Sequence, residues 1–287
     1  MFIVLVFVSM FWLSHYQATV LKDAYESEKK FKKVSLDLGK TISTVKISGG
    51  FIFPDGQELS LADIESVIKK DKICFSVANN SVEEIKVYGE ETKKFYKLYP
   101  TGIKSPPTVE ISGFRMHLTK EFNPKTDTFE KIKNVKPLRG RKLLDCNMGL
   151  GYTAIFSNMN GANVVTCEKD KNIIEICKLN PWSANLFCED IEMLNVDSFF
   201  QVRKFSDSFF DRIIADPPSF RLAGMLYSEE YYVELYRILR SGGKMYHYTG
   251  KVGHKKGIDI AAGVMKRLQN VGFANVKRKH YGVVCEK

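Results

Sequence analysis

Two apolar runs that each stop on an acid constrain this chain more than anything else in it. Lys142-Leu-Leu-Asp145 leads directly into Cys-Asn-Met-Gly-Leu-Gly151, and further on Phe210-Asp-Arg-Ile-Ile-Ala215 leads into Asp216-Pro-Pro-Ser-Phe220. A short, nearly continuous apolar run that breaks off in an acid and turn residues reads as a parallel strand buried on both faces. Such strands deliver polar groups to the carboxyl edge of an open α/β sheet, where these sheets bind ligands. From Lys142 onward strand-like and helix-like stretches alternate, as a doubly wound sheet requires. Strands are expected at Lys142–Cys146, Asn163–Cys167, Ala184–Cys188, Asp211–Ala215, Gly243–Tyr248 and near Asn275–Cys285. Tyr231, Leu235, Ile238 and Leu239 make one helical stripe, with Ser241-Gly-Gly243 as its stop. Ile260, Val264, Leu268 and Val271 make another, with Gly272 after it. The fold class predicted is α/β: a Rossmann-like, doubly wound, mostly parallel sheet with a small β-rich domain ahead of it.

The predicted division is an N-terminal mixed domain over residues 1–117, a Lys-rich connector over 118–141 with one short helix around Phe129–Val135, and the Rossmann-like domain over 142–287. In the first part Pro54-Asp-Gly56 reads as a turn, because Pro fixes φ and Gly accepts φ > 0. Ser60 is a candidate N-cap for a helix whose apolar face is Leu61, Ile64, Val67 and Ile68. Met1–Leu13 is uninterruptedly apolar but too short for a helix to span a bilayer, which takes about 20 residues. It also lacks a basic n-region and a cleavage site. It reads as a buried strand or an upstream extension, and membrane attachment is not expected.

The six cysteines form no Cys-x-x-Cys pair and no histidine stands at zinc-ligand spacing, so no metal site is expected. Free thiols inside apolar runs fit a reducing cytoplasm. The net charge is +10, and its placement is uneven: residues 1–120 hold 17 basic and 14 acidic side chains, whereas 251–279 hold eight Lys or Arg against Asp259 alone. Such an excess is either a solvated face or a contact for an anionic partner.

The chemistry is expected at the strand ends. Gly149 and Gly151 let the backbone approach a ligand, and Asn147 stands where a third glycine would serve, Asn being the next most tolerant of left-handed geometry. Asp145 either holds this loop or receives a cationic ligand group. No Lys-Ser/Thr pair follows, so a phosphate cradle is not expected. Glu168, ending the second strand, can accept both hydroxyls of a ribose. Asp190 can accept from an adenine amine with Ile191 beside the ring. At Asp216-Pro217-Pro218-Ser219-Phe220 two prolines stiffen the turn and leave carbonyls free to accept, so that a carboxylate and a carbonyl orient a planar acceptor while Phe220 stacks on it. His247 and Tyr248 either line the acceptor pocket or pack inside. Met116-His117 could close over the cofactor. Lys251, Lys255 and Lys256 form a basic loop suited to phosphate contacts.

These residues resemble a class I S-adenosylmethionine-dependent methyltransferase over residues 140–287. Gly149-Leu-Gly-Tyr-Thr-Ala, Asn180-Pro-Trp-Ser183 and Ala223-Gly-Met-Leu-Tyr-Ser-Glu-Glu-Tyr-Tyr look most like a group of uncharacterised archaeal-type predicted methyltransferases. Asp-Pro-Pro, a residue, then Phe also occurs in ribosomal-RNA base methyltransferases. The resemblance implies S-adenosyl-L-methionine as cofactor, with Gly149 and Gly151 near its methionine part, Glu168 on the ribose, Asp190 on the adenine amine and Asp216 facing the acceptor. The Asp216–Phe220 motif together with the basic loop points to a base in RNA, of tRNA or rRNA, as the acceptor. Amino-methylating families carry an aromatic directly after the prolines, and Ser219 intervenes here, which leaves a ring nitrogen or carbon open. An aminopropyl transferase acting on a polyamine shares the same core and is the alternative, as is a non-catalytic S-adenosylmethionine-binding module.

Overall fold

The computed structural model describes residues 10–117, 119–187, 190–250 and 259–287. They form two compact units, one running up to Lys125 and taking in Glu175–Trp182, the other comprising Thr126–Ile174 and Ser183–Lys287.

The first unit holds three small antiparallel sheets, with helices His15–Glu26 and Leu61–Ile68. Its core gathers Leu13, Leu21, Val45, Phe51, Ile64 and Val67, all buried. Ser60 caps the second helix as expected, in a reciprocal box with Asp63. Gly56 takes φ +89° in the anticipated turn. The helix His15–Glu26 went unforeseen: it carries a polar Gln17 at a fully buried position, where its amide serves the Ser14 cap, so its apolar stripe is interrupted. Of the apolar N-terminal run, Phe11–Leu13 is a strand paired with Phe75–Val77, and residues 1–9 lie outside the described residues. Trp12 and Trp182 donate through their indole N–H groups to Leu179 O and Leu38 O, and Lys40 Nζ donates to Pro181 O. These bonds fix Glu175–Trp182 within this unit. Among the described residues no helix is long and apolar enough to cross a membrane.

The second unit is built on one seven-stranded sheet. Its strands are β1 (Lys142–Asp145), β2 (Asn163–Cys167), β3 (Ile191–Leu194), β4 (Phe210–Ala215), β5 (Leu239–Tyr248), β6 (Ala274–Lys279) and β7 (Gly282–Glu286). Their spatial order is β3-β2-β1-β4-β5-β7-β6, with every pair from β3 to β5 parallel and the last two pairings antiparallel. The helices from residue 124 onward are α1 (Pro124–Lys133), α2 (Tyr152–Met159), α3 (Lys171–Lys178), α4 (Ser198–Gln201), α5 (Glu229–Ile238) and α6 (Ile260–Val271), the first two residues of α1 and the residues of α3 from Glu175 on counting with the first unit. The sheet is the doubly wound, mostly parallel one the sequence predicts. Its order reverses between β1 and β4, which places a crevice at their carboxyl ends. Residues of α5 and α6, Tyr231, Leu235, Val264 and Leu268 among them, bury against Ile213, Met245 and Val283 of the sheet. Each such side chain contributes about 1.5–3 kcal/mol by leaving water. Gly272, at φ +112°, ends α6 as expected.

Four local expectations are corrected. Of the segment expected as strand Ala184–Cys188, the residues up to Phe187 belong to a 3₁₀ helix, Pro181–Phe187, with Cys188 outside the described residues, and the third strand lies later, at Ile191–Leu194. Asn180 Oδ1 accepts from Trp182 N and so caps that helix, with proline in first position; an apolar run this short does not reveal its period. Ser241-Gly-Gly243 does not end α5. Leu239 is already extended, and the glycines form an irregularity inside β5, Gly242 at φ +72° and Gly243 with no room for a Cβ beside Leu239 and the Arg240 carbonyl. The single C-terminal strand is a hairpin, β6–β7, whose two-residue turn, His280-Tyr281, has positive φ at both positions. That turn normally selects Gly, Asn or Asp, so the sequence carried no hairpin signal. Finally, the connector's helix begins at Pro124 rather than near Phe129, because Pro suits the first helical position.

Candidate active site

The carboxyl ends of β1, β2 and β4 bring together most of the predicted residues. Asp145, at the tip of β1, is fully buried, and its two oxygens accept from Thr153 Oγ1 at 3.1 Å and Thr166 Oγ1 at 2.8 Å. Asp145 thereby ties α2 to β2 on either side of the glycine loop. Burial pushes its pKa up to about 7, with the two threonine hydroxyls pulling the other way. The loop beyond it closes on β2: Met148 N donates to Cys167 O, and Gly149 N donates to Glu168 Oε2 at 3.0 Å. Gly149 and Gly151 both have positive φ, 53° and 78°. At Gly151 a Cβ would overlap the Leu186 side chain, so its lack of bulk serves internal packing as well as backbone geometry. Gly151 also starts α2. Asn147 Oδ1 is buried and has no protein partner among the described residues.

Glu168 is half-buried at the end of β2, its carboxylate braced by two backbone N–H groups, Gly149 on Oε2 and Asp170 on Oε1. Burial raises its pKa to about 7 despite these donors. Each oxygen retains a lone pair for a further donor.

Asp190 and Ile191 stand elsewhere. With the third strand starting at Ile191, Asp190 precedes β3 and is exposed at the amino end of the sheet, the edge away from Glu168. Its backbone carbonyl accepts from Asn158 Nδ2. The residues that leave β3 at the carboxyl edge are Asn195, whose amide donates to Glu168 O at 2.7 Å, and Asp197, which caps α4 and pairs with Lys169. The signal for them was the run Asn195-Val-Asp-Ser198, an N-cap ahead of an apolar stretch.

Asp216 leaves β4 next to the β1 tip and is paired as the sequence did not foretell. Lys131 Nζ, on α1, lies 2.6 Å from Asp216 Oδ2 and 2.6 Å from Asp127 Oδ2 one turn back on the same helix. Asp127 Oδ1 accepts from His280 Nε2, in the hairpin turn, at 2.8 Å. Tyr248 at the end of β5 offers its ring to Lys131 Nζ at 4.7 Å. Burial alone would lower the Lys131 pKa, but the two carboxylates overcome it and hold the ammonium charged well past neutrality. Burial raises Asp216, with Lys131 opposing and Asp127 adding to the rise. Among the described residues no protein group bonds Asp216 Oδ1. Asp127 and Lys131 sit four apart, a helix-face spacing legible in sequence, but the Lys-rich surroundings suggested a solvated connector.

The turn after Asp216 is held from below. Pro217 is buried, and the carbonyl of Pro218, expected to be free, accepts from the Tyr227 hydroxyl at 2.9 Å. The Ser219 carbonyl accepts from Leu222 N and Ala223 N. Phe220 is 46% exposed and meets Tyr227 in a T-shaped contact. His247 is a packing residue: fully buried between Tyr227 and Tyr232, it is kept neutral by burial, which lowers its pKa to about 4. The described cysteines, Cys74, Cys146, Cys167, Cys177 and Cys285, are all buried. Burial pushes Cys167 up to about 12 and raises Cys146 and Cys285 too. Lys251, Lys255 and Lys256 lie outside the described residues. Among the described residues no cluster of His, Cys, Asp and Glu could hold a metal ion.

No protein-family model matches the chain. Over 283 residues it is 40% identical to Uncharacterized protein MJ1233 of Methanocaldococcus jannaschii, 96% of each chain being covered. A shorter stretch of 114 residues is 28% identical to Putative protein N5-glutamine methyltransferase MJ0928 of the same organism, covering 38% of this chain and 53% of that one. Among solved structures, a spermidine synthase in complex with the transition state analogue AdoDATO superposes with a TM-score of 0.54 at 18% identity, over 72% of this chain and 76% of the other. At that identity the likeness is one of fold.

Proposed function

The chain belongs to the same family as uncharacterized protein MJ1233, and we propose that it is an S-adenosylmethionine-dependent methyltransferase acting on a ring nitrogen of a base in RNA. The observation that carries this reading is Asp216, a carboxylate held through one oxygen by Lys131 with the other open at the strand edge it shares with the glycine loop and Glu168.

The residues fit the cofactor. Glu168 accepts the ribose hydroxyls, and the loop from Asn147 to Gly151 lies against the methionine part, where the unpaired Asn147 Oδ1 is suited to a ligand donor. Asn195 and Asp197 take the adenine side that Asp190 cannot reach. Bound there, the cofactor supplies an electrophilic methyl group. The protein's work is then positioning and proton management. Asp216 Oδ1 accepts from the N–H of the acceptor base and takes its proton as the ring nitrogen is alkylated. Lys131 keeps that carboxylate oriented. Phe220 stacks on the base. A carbon acceptor usually calls for a thiolate nucleophile, and the buried, protonated cysteines of the described residues do not provide one, so nitrogen is the acceptor favoured.

RNA as partner is supported by the net charge of +10 and by exposed Lys277, Arg278 and Lys279 on the edge strand β6. The second reading, aminopropyl transfer to a polyamine, is favoured by the fold likeness to spermidine synthase. Lys131 argues against it: its fixed positive charge beside Asp216 repels a cationic acceptor. Calorimetry with S-adenosylhomocysteine, S-adenosylmethionine and the decarboxylated cofactor decides between them. The proposal expects the first two to bind more tightly. Transfer of labelled methyl to total tRNA or rRNA, lost in Asp216→Asn with homocysteine-ligand binding kept, tests the reaction. Absence of binding by all three ligands refutes a cofactor site here.

A further inference from the structure

The alternating row His280, Asp127, Lys131, Asp216 is drawn from three separate elements and runs through contacts of 2.8, 2.6 and 2.6 Å. All but Asp216 are at most 10% exposed, and Asp216 is 22% exposed. We propose that His280 is a positioning residue that, through Asp127, fixes how the Lys131 charge is shared with Asp216. The inference rests on the reading of Asp216 as the residue that faces the acceptor.

Three observations carry it. His280 sits at φ +37° and Tyr281 at +52° in a two-residue turn, a backbone conformation costly for a bulky side chain and maintained only where surroundings over-determine it. Those surroundings are present: the His280 carbonyl accepts from Tyr246 Oη at 2.6 Å, the Tyr281 carbonyl accepts from Thr249 N and Oγ1, and Gly282 admits no Cβ against the His247 carbonyl. The turn thus brings an imidazole N–H to the carboxylate that shares Lys131 Nζ with Asp216. Lastly, the competition is direct, since Lys131 stands at equal distance from both acids. A donor on Asp127 Oδ1 withdraws part of that carboxylate's demand for Lys131 and leaves more of the ammonium's field on Asp216. Without it Asp127 takes the lysine more fully, and its less compensated charge also opposes ionisation of Asp216. A tie that merely fastened the hairpin to α1 would leave Asp216 unaffected.

The titratable groups around Asp216 are Asp127 and Lys131 from α1, Asp145 from β1, Tyr246 and Tyr248 from β5, Tyr227 from the 3₁₀ helix after the motif, and His280 from the turn. The tyrosines stay neutral, their hydroxyls pushed upward first by burial, so a change at His280 reaches Asp216 through Asp127 and Lys131, beside the direct field of His280 on Asp216.

The test is a carbon-13 titration of aspartate side-chain carboxyls in the full chain, with the Asp216 signal identified by its loss in Asp216→Asn. His280→Asn tolerates positive φ but is too short to reach Asp127, whereas His280→Gln keeps a donor within reach. The Asp216 midpoint is expected to move to higher pH in His280→Asn and to move distinctly less in His280→Gln, which loses the direct field of His280 but keeps the donor on Asp127. Asp127→Asn removes the competing charge and leaves the hairpin sequence intact, so there the midpoint should move to lower pH; this arm serves if His280→Asn does not fold. An unmoved midpoint in a folded His280→Asn, or in Asp127→Asn, overturns the proposal, as does a shift in His280→Gln equal to that in His280→Asn. S-adenosylhomocysteine calorimetry on the same samples separates the two ideas: a wild type that does not bind it refutes the methyltransferase reading while the titration still decides the relay.

Discussion

Replacing Lys131 by methionine removes one ammonium and leaves two buried carboxylates facing each other. Lys131 and Asp127 are 5% and 6% exposed at their side chains, and Asp216 is 22% exposed, so water screens little of the loss. Removing one partner of a buried pair costs about 3–5 kcal/mol because it strands the other charge. Here Asp216 loses its cation outright and Asp127 loses its lysine while keeping His280, so the upper end applies, about 5 kcal/mol near pH 8. For a domain of this size each kcal/mol moves Tm by about 2–4 °C, so Lys131→Met should melt roughly 10–20 °C below wild type. The deficit must shrink on acidification. A stranded aspartate has a folded pKa above its unfolded value, so the protein is most stable when that group is protonated and loses stability as pH rises through the folded pKa. Melting from about pH 5 to pH 8 should therefore show the variant converging on wild type at the acid end. The triple variant Asp127→Asn, Lys131→Met, Asp216→Asn should recover most of the loss, since replacing all partners strands nothing. A Lys131→Met protein that melts within about 2 °C of wild type near pH 8 refutes the buried-network reasoning, as does a deficit that grows toward acid.

Other outcomes follow from the same geometry. Affinity for S-adenosylhomocysteine should rise as pH rises through about 7, because Glu168, whose pKa burial raises to about 7, must be ionised to accept the ribose hydroxyls. Calorimetry in buffers of differing ionisation heat should detect proton release, and a flat pH profile would contradict the assignment. Gly151→Ala should cost about 2–5 kcal/mol in urea unfolding, the sum of a positive-φ alanine and overlap with Leu186, with partial recovery on adding Leu186→Ala. His247, neutral when buried with a pKa of about 4, favours the fold fully above its unfolded pKa of about 6.5 and progressively less as pH falls through 4. The span corresponds to about 3 kcal/mol. A His247→Phe variant should lose less stability than wild type between about pH 7 and pH 4; equal slopes would count against that burial.

The parallel core was legible because buried strands advertise themselves: Leu143-Leu-Asp145, Val164-Val-Thr-Cys167 and Asp211–Ala215 are apolar runs that stop where a ligand edge begins. Asp145, Gly149, Glu168 and Asp216 could be placed at one edge from that logic alone. Asp190 could not. Its placement relied on calling Ala184–Cys188 a strand, and a few apolar residues flanked by Pro181 are as compatible with a 3₁₀ turn. Lys131 and His280 were hidden for different reasons. A lysine among lysines gives no sign that it is buried; only the tertiary fold pairs it with Asp216. The hairpin that carries His280 uses none of the residues by which such turns are read, because its left-handed backbone is sustained by Tyr246, Thr249 and Gly282 rather than by local preference.

The contact between Asp127 and His280 joins positions 153 apart in the chain. Every residue assigned to the cofactor lies between them, as does Asp216 itself, while the lysine and the imidazole that set its surroundings come from either side of that stretch. A chimera that transplanted only the stretch from Lys142 to Tyr248 would carry the ligand-gripping loop intact and yet arrive with Asp216 stripped of the cation that orients it. Exchange of activity between relatives is then expected to require both flanks to travel together.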